Sequence, residues 1–191
     1  MKYRESGMPD EQMWNTFFSP TEILTKINID NQVKTLIDIG CGYGTFLLPM
    51  AKLVRKKVIG IDIDDEMINI CRDKIKEHNI KNIGLIRGDI STNETLTELA
   101  AYKCDVDYIS LFNILHCERP LDLLQSVYDI LSKNGKIGVI HWKHEETPRG
   151  PSMEIRLKPE MIINWTTKIG FKLEKHVELP PYHYGLVFIK N

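Results

Sequence analysis

Short runs of isoleucine, leucine and valine alternate along the chain with longer stretches whose apolar residues recur at helical spacing. Five of the short runs, at residues 34–39, 57–61, 83–87, 106–111 and 136–141, are apolar almost throughout, which predicts strands buried on both faces of a parallel sheet. Between them, residues 45–54 and 65–78 read as helices, and residues 120–131 start with a proline suited to a first helical turn. Asn134-Gly135 follows that third helix and predicts its C-terminal stop. A strand, helix, strand succession implies crossovers of one hand and helices on the sheet faces.

The last third of the chain breaks the alternation. Residues 159–169 read as a helix closed by Gly170, and residues 171–179 and 185–190 read as strands joined by Pro180-Pro181-Tyr182-His183-Tyr184. A connection that short cannot hold a crossover helix, so this final pair is expected to be antiparallel. At the other end, residues 10–18 pattern as an amphipathic helix carrying Met13, Trp14, Phe17 and Phe18. Residues 1–30 are therefore read as a helical cap or lid, and residues 31–191 as the main domain.

Composition narrows the function classes. With 191 residues, 42% of them hydrophobic and 27% charged, the chain can bury one sizeable core. A formal net charge of −1 supplies no basic excess for a phosphate backbone, so nucleic acid is not an expected partner. Cys41, Cys71, Cys104 and Cys117 show no metal-ligand spacing and read as reduced thiols, with no metal site expected. The polar start and the absence of any apolar run of roughly 20 residues make the cytoplasm the expected location and exclude a membrane role.

The densest chemical signal is Asp38-Ile39-Gly40-Cys41-Gly42-Tyr43-Gly44, which carries the first strand through a glycine-rich turn towards a helix. Glycines at such a turn allow positive φ and let a ligand approach the backbone. The helix that follows would present free N–H groups and a positive dipole end to a polar or anionic group. About 20 residues later the second strand ends in Asp62, where dinucleotide-type sites bind ribose hydroxyls. The plainer reading of Asp62 is an acid at a helix N-terminus, beside Asp64, Asp65 and Glu66. The third strand ends in Arg87-Gly88-Asp89-Ile90, placing another acid at the same sheet edge.

From about Leu36 to the C-terminus these motifs resemble the class I S-adenosylmethionine-dependent methyltransferases, particularly their small type 11/12 members. The resemblance implies an α/β fold: a Rossmann-like, seven-stranded, mostly parallel sheet with helices on both faces and a C-terminal antiparallel hairpin strand. It implies S-adenosyl-L-methionine as cofactor, with Asp38, Gly40, Cys41, Gly42 and Gly44 around its methionine part and Asp62 on the ribose. Ile63 and Met67 would flank the adenine, and Asp89, with Ile90 beside it, would contact the adenine amino group. Asn113, at the end of the fourth strand, would line the methionine end and the methyl-transfer site.

The acceptor side is less constrained by the sequence. His116 and His141 follow or end strands at the ligand edge and are candidate proton acceptors. Arg149 and Arg156 could clamp a carboxylate or phosphate, and Tyr182 and His183 offer a mixed aromatic and imidazole surface. The expected reaction is methyl transfer to a small-molecule nucleophile by a monomer or homodimer. Two other classes stay open: a non-catalytic cofactor-binding sensor or partner subunit, and a nicotinamide-dependent oxidoreductase. The Gly-x-Gly-x-Gly spacing counts against the oxidoreductase, whose fingerprint is Gly-x-Gly-x-x-Gly.

Overall fold

The computed structural model describes residue 11 and residues 19–100, 105–148 and 150–191. The expected helix at 10–18, apart from Glu11, lies outside the described residues, as do Cys104 and Arg149. The chain order is α1 (Pro20–Lys26), β1 (Thr35–Ile39), α2 (Leu47–Leu53), β2 (Lys57–Asp62), α3 (Asp65–Glu77), β3 (Ile83–Arg87) and α4 (Asn93–Ala100). It continues with β4 (Val106–Phe112), α5 (Pro120–Ile130), β5 (Leu131–Trp142), a single 3₁₀ turn (Met153–Ile155), α6 (Pro159–Ile169), β6 (Phe171–Leu179) and β7 (His183–Lys190).

All seven strands join one sheet in the order β3-β2-β1-β4-β5-β7-β6. The first five pair in parallel, and β7 runs antiparallel to both β5 and β6. Strand order reverses between β1 and β4, which leaves a crevice at their C-terminal ends, the usual ligand position in such sheets. The expected Rossmann-like, mostly parallel sheet with a closing antiparallel hairpin is the one observed.

Alternation along each strand divides the core in two. On one face Leu24, Leu47, Met50 and Ile68 from α1, α2 and α3 pack with Leu36, Val58, Tyr108 and Ile140. On the other, Leu99, Leu123, Val127 and Ile162 from α4, α5 and α6 pack with Ile37, Ile59, Ile109 and Ile137. Burying a large aliphatic side chain contributes about 1.5–3 kcal/mol, so two such layers hold the strand ends rigidly for whatever binds there. Residues 20–29, grouped with the cap by sequence, belong to the first layer: Leu24, Ile27 and Ile29 are fully buried, and the Tyr108 hydroxyl donates to the Ile27 carbonyl at 2.6 Å.

Three local expectations give way. Asn134-Gly135 does not stop a helix: α5 ends at Ile130 and β5 has already begun at Leu131, pairing first with Val106 and then, after a register shift, Lys136 with Tyr108. Asn134, at φ +61, sits in that irregularity, so the turn-forming pair bends a strand instead. β3 lies at the edge of the sheet among the described strands, and only its Ile86 is fully buried, so it is not covered on both faces. The helix after the glycine turn opens at Leu47, not at residue 45, leaving Thr45 and Phe46 in the turn. By contrast α6 ends at Gly170 in the left-handed conformation (φ +117), as its sequence implied.

Candidate cofactor site

The turn after β1 is built from backbone that other residues adopt poorly. Gly40, Gly42 and Gly44 have φ of +74, +51 and +78. The Gly40 and Cys41 amides both donate to the Ile61 carbonyl, at 2.8 and 3.1 Å, tying the turn to the end of β2. A Cβ on Gly40 would lie 2.8 Å from Ile114 Cγ2, so the chain after β4 closes on this turn with no space for a side chain.

Asp62 is the second clamp. One of its carboxylate oxygens accepts from the Gly42 amide at 2.8 Å and the other from the Asp64 amide at 3.0 Å. The N-cap of α3 is Asp64, which accepts from the Glu66 amide at 2.8 Å, so Asp62 is not spent on capping. Burial raises the Asp62 carboxyl above its ordinary range, against the backbone hydrogen bonds that lower it. Asp38, only 3% exposed, accepts from the Ser110 hydroxyl at 2.6 Å. Burial pushes its carboxyl up to about 7; the Ser110 hydrogen bond opposes this and the nearby Asp62 charge adds to it.

These turns, together with the end of β4, enclose a cavity of about 290 Å³. Of the residues singled out from sequence, Asp38, Gly40, Cys41, Gly42, Asp62, Ile63, Met67, Ile90, Asn113 and His116 line it. Gly44 instead faces Leu48 and Cys71, and a Cβ there would lie 2.6 Å from Leu48 Cδ1. The Asp89 carboxylate turns into its own loop, accepting from the Ser91 amide and hydroxyl at 2.9 and 2.7 Å, while its neighbours Gly88 and Ile90 form wall. Sequence reasoning missed Thr45, Phe46, Phe112 and Ile114, which also line the cavity. Phe46 and Phe112 meet edge to face at 4.8 Å, a contact between residues 66 positions apart that no local pattern announces.

The acceptor candidates divide between wall and interior. Asn113 has φ +55, its amide nitrogen donates to the Ile140 carbonyl at 2.8 Å, and both polar atoms of its side chain are buried without a hydrogen-bond partner. His116 is on the wall and meets His141 edge to face, ring centroids 5.8 Å apart. His141 is 1% exposed and stacks on Tyr184 at 6.4 Å. Burial, reinforced by His116, lowers its imidazole to about 3, so it is neutral at physiological pH.

His183 lies opposite Trp142 across β5 and β7 and packs on its ring at 4.3 Å, while Tyr182 stacks on the same indole at 5.8 Å. Burial, followed by His141 and Arg156, lowers His183 to about 3 as well. Arg156 is turned inward: Nε donates to the Pro151 carbonyl at 2.9 Å, a terminal nitrogen to the Glu145 carbonyl at 2.5 Å, and the guanidinium sits 5.2 Å over Trp142. Its geometry fastens the connection between β5 and the 3₁₀ turn. Among the described residues, no group of three or more histidine, cysteine or acidic side chains is placed to hold a metal ion.

The profile of a family described as a methyltransferase domain matches residues 30–177, most of the chain and all of the site. The chain belongs to the class I S-adenosylmethionine-dependent methyltransferases. A crystal structure of an S-adenosylmethionine-dependent methyltransferase from Aquifex aeolicus superposes with a TM-score of 0.81 at 22% identity, covering 95% of this chain and 94% of that one. The demethylmenaquinone methyltransferase of Lactococcus lactis is 25% identical over 117 residues, 60% of this chain and 44% of that protein. The ribosomal protein L11 methyltransferase of Vibrio campbellii is 40% identical over 55 residues, 29% of this chain and 19% of that protein. The chain thus spans less than half the length of these curated relatives.

The pocket fits the family's cofactor, S-adenosyl-L-methionine. Its lining holds three aspartates, Asp38, Asp62 and Asp64, and no lysine or arginine among the described residues, a charge balance suited to a sulfonium cation. Ile63, Met67 and Ile90 give it apolar lining, and Asn113, also in the lining, keeps its side-chain amide buried without a hydrogen-bond partner.

Proposed function

We propose that this chain transfers a methyl group from S-adenosylmethionine to a small-molecule nucleophile. The observation that carries the reading is the convergence of the turns after β1, β2 and β3 with the end of β4 on one cavity. In this reading Asp38 and the backbone of Gly40, Cys41 and Gly42 surround the methionine part, and Gly44 sets the shape of that turn from behind. Asp62 takes the ribose hydroxyls, its two oxygens already fixed in place by the Gly42 and Asp64 amides. Ile63, Met67 and Ile90 sandwich the adenine, with the Asp89 loop at its edge.

The bound cofactor supplies an activated methyl group on a good leaving group, so the protein's task is alignment, exclusion of water and custody of one proton. His116, on the wall beside Asn113, receives that proton when the acceptor must lose one. His141 holds the His116 ring from behind. Arg156, Tyr182 and His183 shape the outer wall around Trp142. Arg149 stays a candidate substrate contact on sequence grounds alone. The lack of any helix among the described residues long and apolar enough to cross a membrane, and the near-neutral charge, favour a cytoplasmic enzyme acting on a small molecule as a monomer or homodimer. The match to a protein named for demethylmenaquinone covers twice as much of the chain as the match to one named for a ribosomal protein, which points the same way.

Calorimetry with S-adenosylhomocysteine and with NAD, followed by labelled methyl transfer to a broad acceptor panel, tests the proposal. The expected result is S-adenosylhomocysteine binding, no NAD binding, and transfer to at least one compound. Binding of NAD alone would make the protein an oxidoreductase, and cofactor binding with no transfer to any compound would make it a sensor or partner subunit.

A further inference from the structure

Two thiols that have no part in the cofactor reading meet behind the glycine turn. Cys41, 7% exposed, lines the cavity, and Cys71 of α3 is fully buried. The Cys71 thiol donates to the Gly42 carbonyl at 3.2 Å, one residue beyond Cys41, and lies 3.1 Å from where a Gly44 Cβ would stand. The two thiols also hydrogen-bond to each other, and both are free. Nothing in the spacing of the cysteines announces this pair, which only the packing of α3 against the turn creates. Access to the two sulfurs differs: Cys41 is reached through the cavity, whereas Cys71 has no exposed surface.

A bond between them would move a turn whose backbone is already fully engaged. The Gly40 and Cys41 amides are held by the Ile61 carbonyl, the Gly42 amide by Asp62, and Gly40 has no room for a side chain beside Ile114. A disulfide holds its sulfurs about 2.05 Å apart, closer than hydrogen-bonded thiols can come. It also removes the hydrogen that Cys71 gives to the Gly42 carbonyl. Drawing Cys41 towards α3 therefore shifts the backbone between Gly40 and Gly42, the segment that carries the Asp62 clamp.

We propose that Cys41 and Cys71 are a modification site: a peroxide entering the empty cavity converts them to a disulfide, and that bond shuts out S-adenosylmethionine. The effect on the cofactor rests on the methyltransferase reading above; the bond itself does not. With hydrogen peroxide, the Cys41 sulfur bonds to one oxygen as the oxygen–oxygen bond breaks, leaving a sulfenic acid, and the other oxygen departs as water with the Cys41 proton. The Cys71 sulfur then bonds to the Cys41 sulfur as the sulfur–oxygen bond breaks, and the hydroxyl leaves with the Cys71 proton as a second water. The two thiols lose two electrons and the peroxide gains them. The hydrogen bond with Cys71, burial, and the Asp38 and Asp62 charges hold the Cys41 thiol well above the ordinary thiol range, so the first step needs sustained oxidant. Bound cofactor, lying against the Cys41 backbone, covers the entrance and protects the pair.

The test exposes the unaltered protein to hydrogen peroxide at pH 8, with and without saturating S-adenosylhomocysteine. Non-reducing peptide mass spectrometry reads the bond and calorimetry reads the cofactor site. The expected product is a peptide pair joined through Cys41 and Cys71 and lighter by two hydrogens. S-adenosylhomocysteine should then bind at least tenfold more weakly, recover on treatment with dithiothreitol, and slow formation of the bond at least tenfold when already present. Cys71→Ser, or Cys71→Ala where serine upsets the fold, should bind S-adenosylhomocysteine when reduced, form no cross-link, and let dimedone trap the sulfenic acid on Cys41. No joined peptide, a cross-linked protein that binds S-adenosylhomocysteine as the reduced one does, or equal rates with and without it would overturn the proposal. Failure of the reduced protein to bind S-adenosylhomocysteine would instead sink the methyltransferase reading, while the peptide masses would still decide whether the bond forms.

Discussion

Replacing Asp38 by asparagine should stabilise the cofactor-free protein at neutral pH and do nothing at low pH. The side chain is 3% exposed and its carboxyl is raised from 3.8 to about 7, chiefly by burial. Because the folded-state value lies above the unfolded one, the folded chain holds the proton more tightly. The stabilising contribution of the protonated carboxyl is complete below about pH 3.8 and is lost as pH rises through about 7. At 1.36 kcal/mol per pH unit, the gap between 3.8 and about 7 sets a ceiling of about 4 kcal/mol. Between pH 5 and pH 8 the loss amounts to about 2–3 kcal/mol. Asparagine keeps the shape and an oxygen to accept the Ser110 hydroxyl, now at 2.6 Å from Asp38, without a charge to bury. Urea unfolding of both proteins at pH 5 and pH 8 measures the difference directly, since groups titrating alike in the two proteins cancel. The gap in unfolding free energy should widen in favour of the variant by about 2–3 kcal/mol from pH 5 to pH 8. A gap that stays constant within about 0.5 kcal/mol would refute the claim that this carboxyl is a buried, strained acid.

Other substitutions probe the turn, the ribose clamp and the anchoring of α1. Gly40→Ala places a Cβ 2.8 Å from Ile114 Cγ2 at φ +74, and should lower stability by about 1–3 kcal/mol and weaken S-adenosylhomocysteine at least tenfold by calorimetry; wild-type affinity would mean the turn is no cradle. Asp62→Ala removes the acceptor for the Gly42 and Asp64 amides as well as for the ribose, so cofactor affinity should fall by about 1–3 kcal/mol with a lower Tm, and unchanged calorimetric affinity would take Asp62 out of the site. Tyr108→Phe strands the buried Ile27 carbonyl, for a loss of about 1–2 kcal/mol and a Tm drop of about 2–8 °C in a thermal melt, with cofactor affinity unaffected.

Much of this protein could be read without its structure because the deciding interactions are local. The apolar runs of β1, β2 and β4 were legible because a strand buried on two faces needs apolar residues at successive positions, whatever its partners. Gly170 ends α6 because the left-handed conformation it adopts is intrinsic to glycine. The glycine turn and Asp62 were legible for the same reason: backbone freedom and a carboxylate at a strand end are properties of a few consecutive residues. Asn134-Gly135 misled because a turn-forming pair specifies a bend, and only the pairing of β5 with β4 decides whether that bend ends a helix or kinks a strand.

Tertiary structure alone decided how those pieces meet. Phe46 reaches the pocket because its ring packs on Phe112, and Gly40 is confined because Ile114 arrives from beyond β4. Arg156 reads in the sequence as a possible clamp for a carboxylate or phosphate, but the fold supplies two carbonyls and an indole that occupy it. The ionisation of Asp38, His141 and His183 likewise follows from burial, which depends on every layer packed above them. Backbone propensity is written residue by residue, whereas desolvation and side-chain contact are sums over neighbours that only the folded chain brings together.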